Sequence, residues 1–173
     1  MLATMNNVHE QHRDSAPRSS CCAVITVSDT RTRETDAGGN VVIKLLLENH
    51  HRVACREIIP DDPHQMRPLL EKLSQDSEID AILLTGGTGI SRRDQTYETV
   101  LGLMTKPLPG YGELFRMLSF QQIGPAAMLS RAVGGLMGST VVLTMPGSPS
   151  AVELAMRQVI LPELGHLIRE ARR

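Results

Sequence analysis

The chain has no tryptophan and only four aromatic residues among its 173: Tyr97, Tyr111, Phe115 and Phe120. Single-strand and RNA-binding modules stack bases on aromatic side chains within a basic groove. Here 18 Lys and Arg face 19 Asp and Glu, for a formal net charge of −1. Both features of such a module are missing, so nucleic acid is set aside as a partner. Cysteine is equally sparse. Cys21, Cys22 and Cys55 form no CxxC and no paired framework. The adjacent Cys21-Cys22 reads as small apolar residues opening a strand in a reducing compartment, with a redox pair or part of a metal site as the alternative. None of the six histidines stands at ligand spacing with a second, so no zinc site is expected. No apolar run approaches the roughly 18 residues of a membrane span. The first 19 residues lack the apolar stretch of a signal peptide and read as a flexible tail. Residues 20–173 then form a single domain, and a cytoplasmic protein is expected.

What is present is ordinary for a globular chain, with 41% hydrophobic and 21% charged residues. The order of segments is more telling. Residues 22–27 read as a buried strand broken by Ser28-Asp29-Thr30, and "VVIKLLLEN" follows at helical spacing. "RVACREII" is a second strand, and "DDPHQMRPLLEKLSQ" opens with the acids and proline of a helix N-terminus. "IDAILLT" lacks polar alternation, which suits a strand covered on both faces. A glycine loop and a helix over 94–104 come next. Further on, a helix is expected over 111–122, then a hairpin of 132–137 and 140–145 turning at Gly138-Ser139, then a helix over 149–160 and an amphipathic C-terminal helix. The fold class is α/β: a three-layer α/β/α domain, mostly parallel, with a small antiparallel hairpin. Right-handed crossovers would bring Ser28-Asp29, Asp61-Asp62 and the glycine loop to one sheet edge, where open α/β sheets bind ligands.

That loop reads "LLTGGTGISRRDQT" over residues 83–96. A glycine-bearing turn can be no more than a tight connection. Here Gly86, Gly87 and Gly89 fall within four residues, with hydroxyls at Thr85 and Thr88. Bare backbone N–H groups can approach an anion closely, and the following helix adds about 0.3–1 kcal/mol per charge. The spacing fits neither dinucleotide nor Walker fingerprints, since Arg92 stands where a third glycine would be needed and the next lysine is Lys106. Asp94 reads as an N-cap, with room for a second role. Arg92 and Arg93 could reach phosphates or form a solvated surface pair. A carboxylate beside phosphate is repulsive unless a cation lies between them. With Asp61 and Asp62 on the same edge, Mg²⁺ is the expected cation, as in phosphoryl or nucleotidyl transfer.

"TVSDT", "IIPDD", "TGGTGISRRDQT", "PGYGELFRMLSFQQIG", "LSRAVGG" and "MPGSPSAV" occur in the order and spacing of the MoaB/Mog molybdenum cofactor biosynthesis family, which the chain resembles over about residues 21–170. "SDTRTRETDAGG" and "FRMLSFQQIG" place it on the MoaB-like side. The resemblance implies a molybdopterin adenylyltransferase that moves AMP from Mg-ATP to the terminal phosphate of molybdopterin and releases pyrophosphate. The alternative is a non-catalytic carrier of molybdopterin or nucleotide. By the same resemblance Asp61 and Asp94 are the catalytic carboxylates and the Mg²⁺ ligands. Thr85, Gly86, Gly87, Thr88 and Gly89 cradle phosphate. Ser28, Asp29, Ser130, Arg131, Pro146, Gly147, Ser148 and Pro149 take the pterin. Plain alternatives are a surface role for Arg131 and a turn at Pro146–Pro149, with Ser148 capping the next helix. ATP is a co-substrate, no prosthetic group is held tightly, the assembly is a homotrimer or a dimer of trimers, and product passes to a molybdate-insertion protein.

Overall fold

In a computed structural model of the protein, residues 19–173 are described. All of the expected N-terminal tail except Ser19 lies outside them. Strands β1 (Cys21–Val27), β2 (Arg52–Ile59) and β3 (Ala81–Thr85) alternate with helices α1 (Ala37–Glu48), α2 (Pro63–Ser74) and α3 (Thr96–Leu103). A two-residue strand β4 (Lys106–Pro107) leads to helix α4 (Pro109–Ile123) and a 3-10 turn (Gly124–Leu129). The hairpin β5 (Gly134–Met137) and β6 (Thr140–Met145) follows, with Gly138 at φ +62 in the turn. Helix α5 (Pro149–Ala155) runs through a π-helical stretch (Met156–Ile160) into α6 (Leu161–Ala171). The two expected C-terminal helices are thus continuous, and Pro162 comes just after the π-helical stretch, the kind of local widening found inside α-helices.

The six strands lie in the order β2-β1-β3-β6-β5-β4, parallel except at β4-β5 and β5-β6. Strand β4 was not expected. It is too short to carry a period and contains Pro107, which only an edge strand tolerates. Strands β1 and β3 are buried along their whole length, which explains their missing polar alternation. Cys22, Val24, Ala81 and Leu83 pack against α1, α4, α5 and α6, whereas Ala23, Ile25, Ile82 and Leu84 pack against α2 and α3. Period-two pleating thereby sorts one continuous run into the two cores of a three-layer domain. Cys21 and Cys22 are both buried and free. Burial, helped by the nearby Asp80 charge, pushes the Cys22 thiol up to about 12, so it is protonated and inert.

The chain leaves β1 toward β2 on one side and reaches β3 on the other. That reversal opens a crevice at the carboxyl ends of β1 and β3. Its floor is braced by Asp36, which is 2% exposed and caps α1 by accepting the Gly39 N–H at 2.9 Å. Asp36 also accepts from Thr26 Oγ1 at 2.7 Å and Arg56 Nη2 at 2.9 Å, joining α1 to β1 and β2. Burial alone would raise its pKa, but these hydrogen bonds and the Arg56 charge outweigh it and hold the carboxyl below its ordinary value.

Asp36→Ala is expected to cost about 3 kcal/mol in a urea melt at pH 7, since it strands Arg56 and Thr26 in a semi-buried site. The lowered pKa means this stabilisation is present above the unfolded value of about 3.9 and is lost as pH falls through the folded value. The gap between wild type and variant should begin to narrow below about pH 4 in the same melts and close only below the folded value.

Candidate functional site

Three strand exits meet at the crevice. After β1, the Ser28 hydroxyl accepts the Thr30 and Arg31 N–H groups and closes a tight turn, while the Ser28 N–H donates to Ile59 O at 2.8 Å. After β2, Asp62 caps α2 by accepting the His64 N–H at 2.9 Å, leaving Asp61 to turn inward. After β3, the loop runs close over the end of β1. Gly86 has φ +104, and a Cβ there would lie 2.2 Å from Val27 O. Gly87 has φ +64, and its Cβ would lie 2.3 Å from Asp61 Oδ2 and 2.1 Å from Thr96 Oγ1. A side chain at either position would push the loop off the strands or drive it into the carboxylate.

The structure corrects the expected role of Asp94. Helix α3 begins at Thr96, not 94, and its N-cap, Gln95, makes no side-chain cap bond. The Asp94 carboxylate instead closes a turn by accepting the Ser91 N–H at 2.8 Å, while the Asp94 N–H donates to Ser91 O at 3.0 Å. Held in that turn, it cannot reach the first helical amides. Capping comes from a different strand exit: Gln95 N–H donates to Asp61 Oδ1 at 3.1 Å. Sequence distance hides such a cap, because residues 61 and 95 meet only once the sheet has formed.

The local charges are distributed unevenly. Arg93 Nε is 2.7 Å from Asp29 Oδ2, and that hydrogen bond holds the Asp29 carboxyl below its ordinary value. Arg93 is therefore neither free for phosphate nor merely solvated. Among the described residues no basic side chain lies within ion-pair distance of Asp61 or Asp94. Asp61 is 7% exposed. Burial raises its pKa, the Gln95 N–H opposes, and the charges of Asp94 and Asp29 raise it further. Beside it lies the fully buried Thr96 hydroxyl, which also opposes the rise.

Two recesses flank the loop. One, of about 410 Å³, is lined by Gly86, Gly87, Thr88, Gly89 and Asp94, by Ser130, and by Pro146, Gly147 and Ser148. Its far wall is apolar, built from Phe115, Ile123, Ala127 and Leu129 of α4 and the 3-10 turn. The other, of about 400 Å³, is polar, and joins Ser28, Thr85 and Pro149 with Thr26, Arg31 and Asp36. They share Gly86, Gly147 and Ser148 as a common rim. Ser148 also caps α5, accepting the Ala151 N–H at 3.4 Å. Arg131 lines neither recess, and its guanidinium is bonded to Gly89 O and Asp94 O behind the loop. Asp36, Thr96 and the apolar wall were not among the expected site residues. Only the buried stripe at Tyr111, Phe115 and Ser119, which follows helical spacing, could have pointed to that wall.

Two unpaired carboxylates under a glycine loop suit a hard divalent cation. Among the described residues no group of three or more His, Cys, Asp or Glu could hold a metal. Asp61 and Asp94 are therefore too few to cage a metal with protein ligands alone. No helix among these residues is long and apolar enough to cross a membrane.

A family model described as "Probable molybdopterin binding domain" matches residues 23–166. The chain is 48% identical over 162 residues to the Molybdenum cofactor biosynthesis protein B of Halalkalibacterium halodurans, covering 93% of this chain and 95% of that protein. It is 47% identical over 165 residues to the protein of the same name from Bacillus subtilis, covering 95% and 97%. Among solved structures, a Molybdenum cofactor biosynthesis protein B superposes with TM-score 0.88 at 47% identity, covering 92% of this chain and 99% of that one. The tungsten cofactor synthesizing protein MoaB from Pyrococcus furiosus gives 0.81 at 34%, covering 91% and 100%.

Asp61→Asn is expected to melt roughly 2–4 °C above wild type at pH 7, because it removes a buried charge with no counter-cation. The folded pKa is raised, so the penalty is absent where the group is protonated in both states and grows as pH rises through the folded value. The difference should vanish below about pH 4 in calorimetric scans, and equal melting at pH 7 would show the charge to be compensated.

Proposed function

The chain belongs to the family of molybdenum cofactor biosynthesis protein B, and from that membership we propose that it is a molybdopterin adenylyltransferase acting in the cytoplasm. It binds molybdopterin and ATP and transfers AMP to the terminal phosphate of the pterin. One observation carries this reading: two recesses of similar size share a rim of Gly86 and Gly147, beside two carboxylates that lack a cation. Two substrates seated on either side would bring their phosphates together at that rim.

Each residue then has a task. The backbone N–H groups of the loop from Thr85 to Gly89 orient the triphosphate, and the glycines let it approach closely. Ser28, Ser130, Pro146, Gly147, Ser148 and Pro149 border the recesses and hold the pterin end. A terminal phosphate oxygen of molybdopterin attacks the α-phosphorus of ATP, the bond to the β-phosphate bridging oxygen breaks, and pyrophosphate leaves with that electron pair. Asp61 and Asp94 would hold Mg²⁺, whose chemistry is to offset negative charge on the transferring and leaving oxygens. Asp29 is held by Arg93 and acts through the loop it braces, since its side chain also accepts the Asp61 N–H at 3.4 Å.

Assembly belongs to the same proposal. Leu114, Met117, Phe120 and Ile123 of α4, with Met128 of the 3-10 turn, are exposed apolar side chains of a kind that subunit contacts cover. A homotrimer, or a dimer of trimers, is proposed, with product passing to a molybdate-insertion protein.

Purified protein with Mg-ATP and molybdopterin should release pyrophosphate and form adenylated pterin. Asp94→Asn should lower kcat by about 10²–10³-fold while molybdopterin affinity stays within about threefold. Wild type that binds molybdopterin tightly but makes no product would support the carrier reading instead. Light scattering should give a multiple of three chains, and Phe120→Glu should lower the assembly constant by at least about tenfold.

A further inference from the structure

The chemistry of Arg131 is not that of a ligand-binding arginine. Its backbone N–H donates to Thr88 O at 2.9 Å. Its side chain donates from Nε to Gly89 O at 2.7 Å, from Nη2 to Asp94 O at 3.0 Å, and from Nη1 to the Glu98 carboxylate. The guanidinium lies 5.1 Å from the centroid of the Tyr97 ring, so one of its faces is also occupied. A rigid planar fork of five donors reaches acceptors spread on several sides at once, whereas a lysine carries its three donors on one compact ammonium. Arg131 faces a separate cleft behind the loop, with Tyr97, Leu101, Arg116 and Val133, whereas its neighbour Ser130 lines the apolar recess as well.

Peptide planarity turns this grip into an orientation. In a trans peptide the C=O of one residue and the N–H of the next point in opposite directions. Holding Thr88 O and Gly89 O behind the loop therefore aims the N–H groups of Gly89 and Ile90 forward, away from Arg131. The Asp94–Gln95 peptide shows the same relation with both ends occupied: its C=O accepts from Arg131, and its N–H donates to Asp61 Oδ1 at 3.1 Å. One peptide plane thus joins the Arg131 guanidinium to the Asp61 carboxylate, and the residue contributing its C=O is Asp94.

We infer that Arg131 is a positioning residue: from behind the glycine loop it fixes the forward-facing amides and sets Asp61 and Asp94 relative to one another, without touching either substrate. The inference rests on the proposed site in one respect only, that the loop and the two carboxylates face the ligand.

The test compares wild type, Arg131→Ala, Arg131→Lys and Glu98→Gln. Amide hydrogen exchange of residues 88–95 is measured first, without ligands, so that it reads the grip independently of any activity. Exchange in Arg131→Ala should rise by at least about tenfold in this segment, with strands β1 and β3 unchanged. Arg131→Lys should resemble Ala, because a compact ammonium cannot span acceptors that three separate guanidinium nitrogens reach, and Glu98→Gln should give a rise of several fold. In turnover assays Arg131→Ala should raise the Mg²⁺ concentration for half-maximal rate by about tenfold, with KM for molybdopterin within about twofold. A general loss of packing would not separate those two quantities.

Unchanged exchange in 88–95 overturns the inference, as does a molybdopterin Kd raised about tenfold while the loop stays protected. Should Arg131→Ala fail to fold, Glu98→Gln decides by the same exchange measurement. Wild type that makes no pyrophosphate would sink the adenylyl-transfer proposal, and the exchange result would still settle the role of Arg131.

Discussion

The Asp61 carboxylate ties the strand-exit edge together. It leaves β2, is almost fully buried, accepts the N–H of Gln95 at the N-cap of α3, and lies directly beneath Gly87. Its own N–H donates to the Asp29 side chain, so segments following β1, β2 and β3 all converge on one residue. Burying a charge without a counter-ion costs free energy, and the Asp94 and Asp29 charges add to that cost. A fold keeps such an arrangement where it is used, since strain and unpaired charge concentrate at functional sites. Gly87 follows from the same constraint: the space a Cβ would take is already filled by Asp61 and Thr96.

Four of the aspartates on this edge show how partners decide a role. Asp36 is as deeply buried as Asp61, yet it has Arg56, Thr26 and Gly39 to satisfy it, and its pKa is lowered. Its charge is settled, which marks it as a brace. Asp29 is paired with Arg93. Asp61 and Asp94 accept the Gln95 and Ser91 N–H groups, and among the described residues neither has a basic partner. These two carboxylates are thus set apart by what does not surround them.

Much of this was legible in the sequence. Buried strands β1 and β3 announce themselves as apolar runs without alternation, and the helices by their spacing and N-terminal chemistry. The convergence of "SDT", "PDD" and "TGGTG" on one edge follows from crossover handedness alone. Contacts between distant residues were not legible. The cap of α3 by Asp61, the Arg93–Asp29 pair and the bonds from Arg131 to the loop each join groups more than thirty residues apart. Strand β4 escaped because two residues carry no period. The apolar wall from α4 escaped because a residue lining a recess and one filling a core share the same helical stripe.

A glycine loop without a lysine differs physically from one that has it. A lysine supplies a permanent cation, so phosphate can be held whether or not metal is present. Here the loop offers only backbone dipoles, set beside two uncompensated carboxylates. Dipoles of that kind contribute about 0.3–1 kcal/mol per charge, which falls short of the repulsion between a polyphosphate and two nearby anions. Under the proposed function the balance is met only when the nucleotide arrives with its divalent cation. Metal and phosphate then bind as one unit at two carboxylates that, among the described residues, have no basic side chain within ion-pair distance. That absence also explains why orientation has to come from behind: with no lysine to pull phosphate into register, the direction of the loop amides must be set by the fold itself.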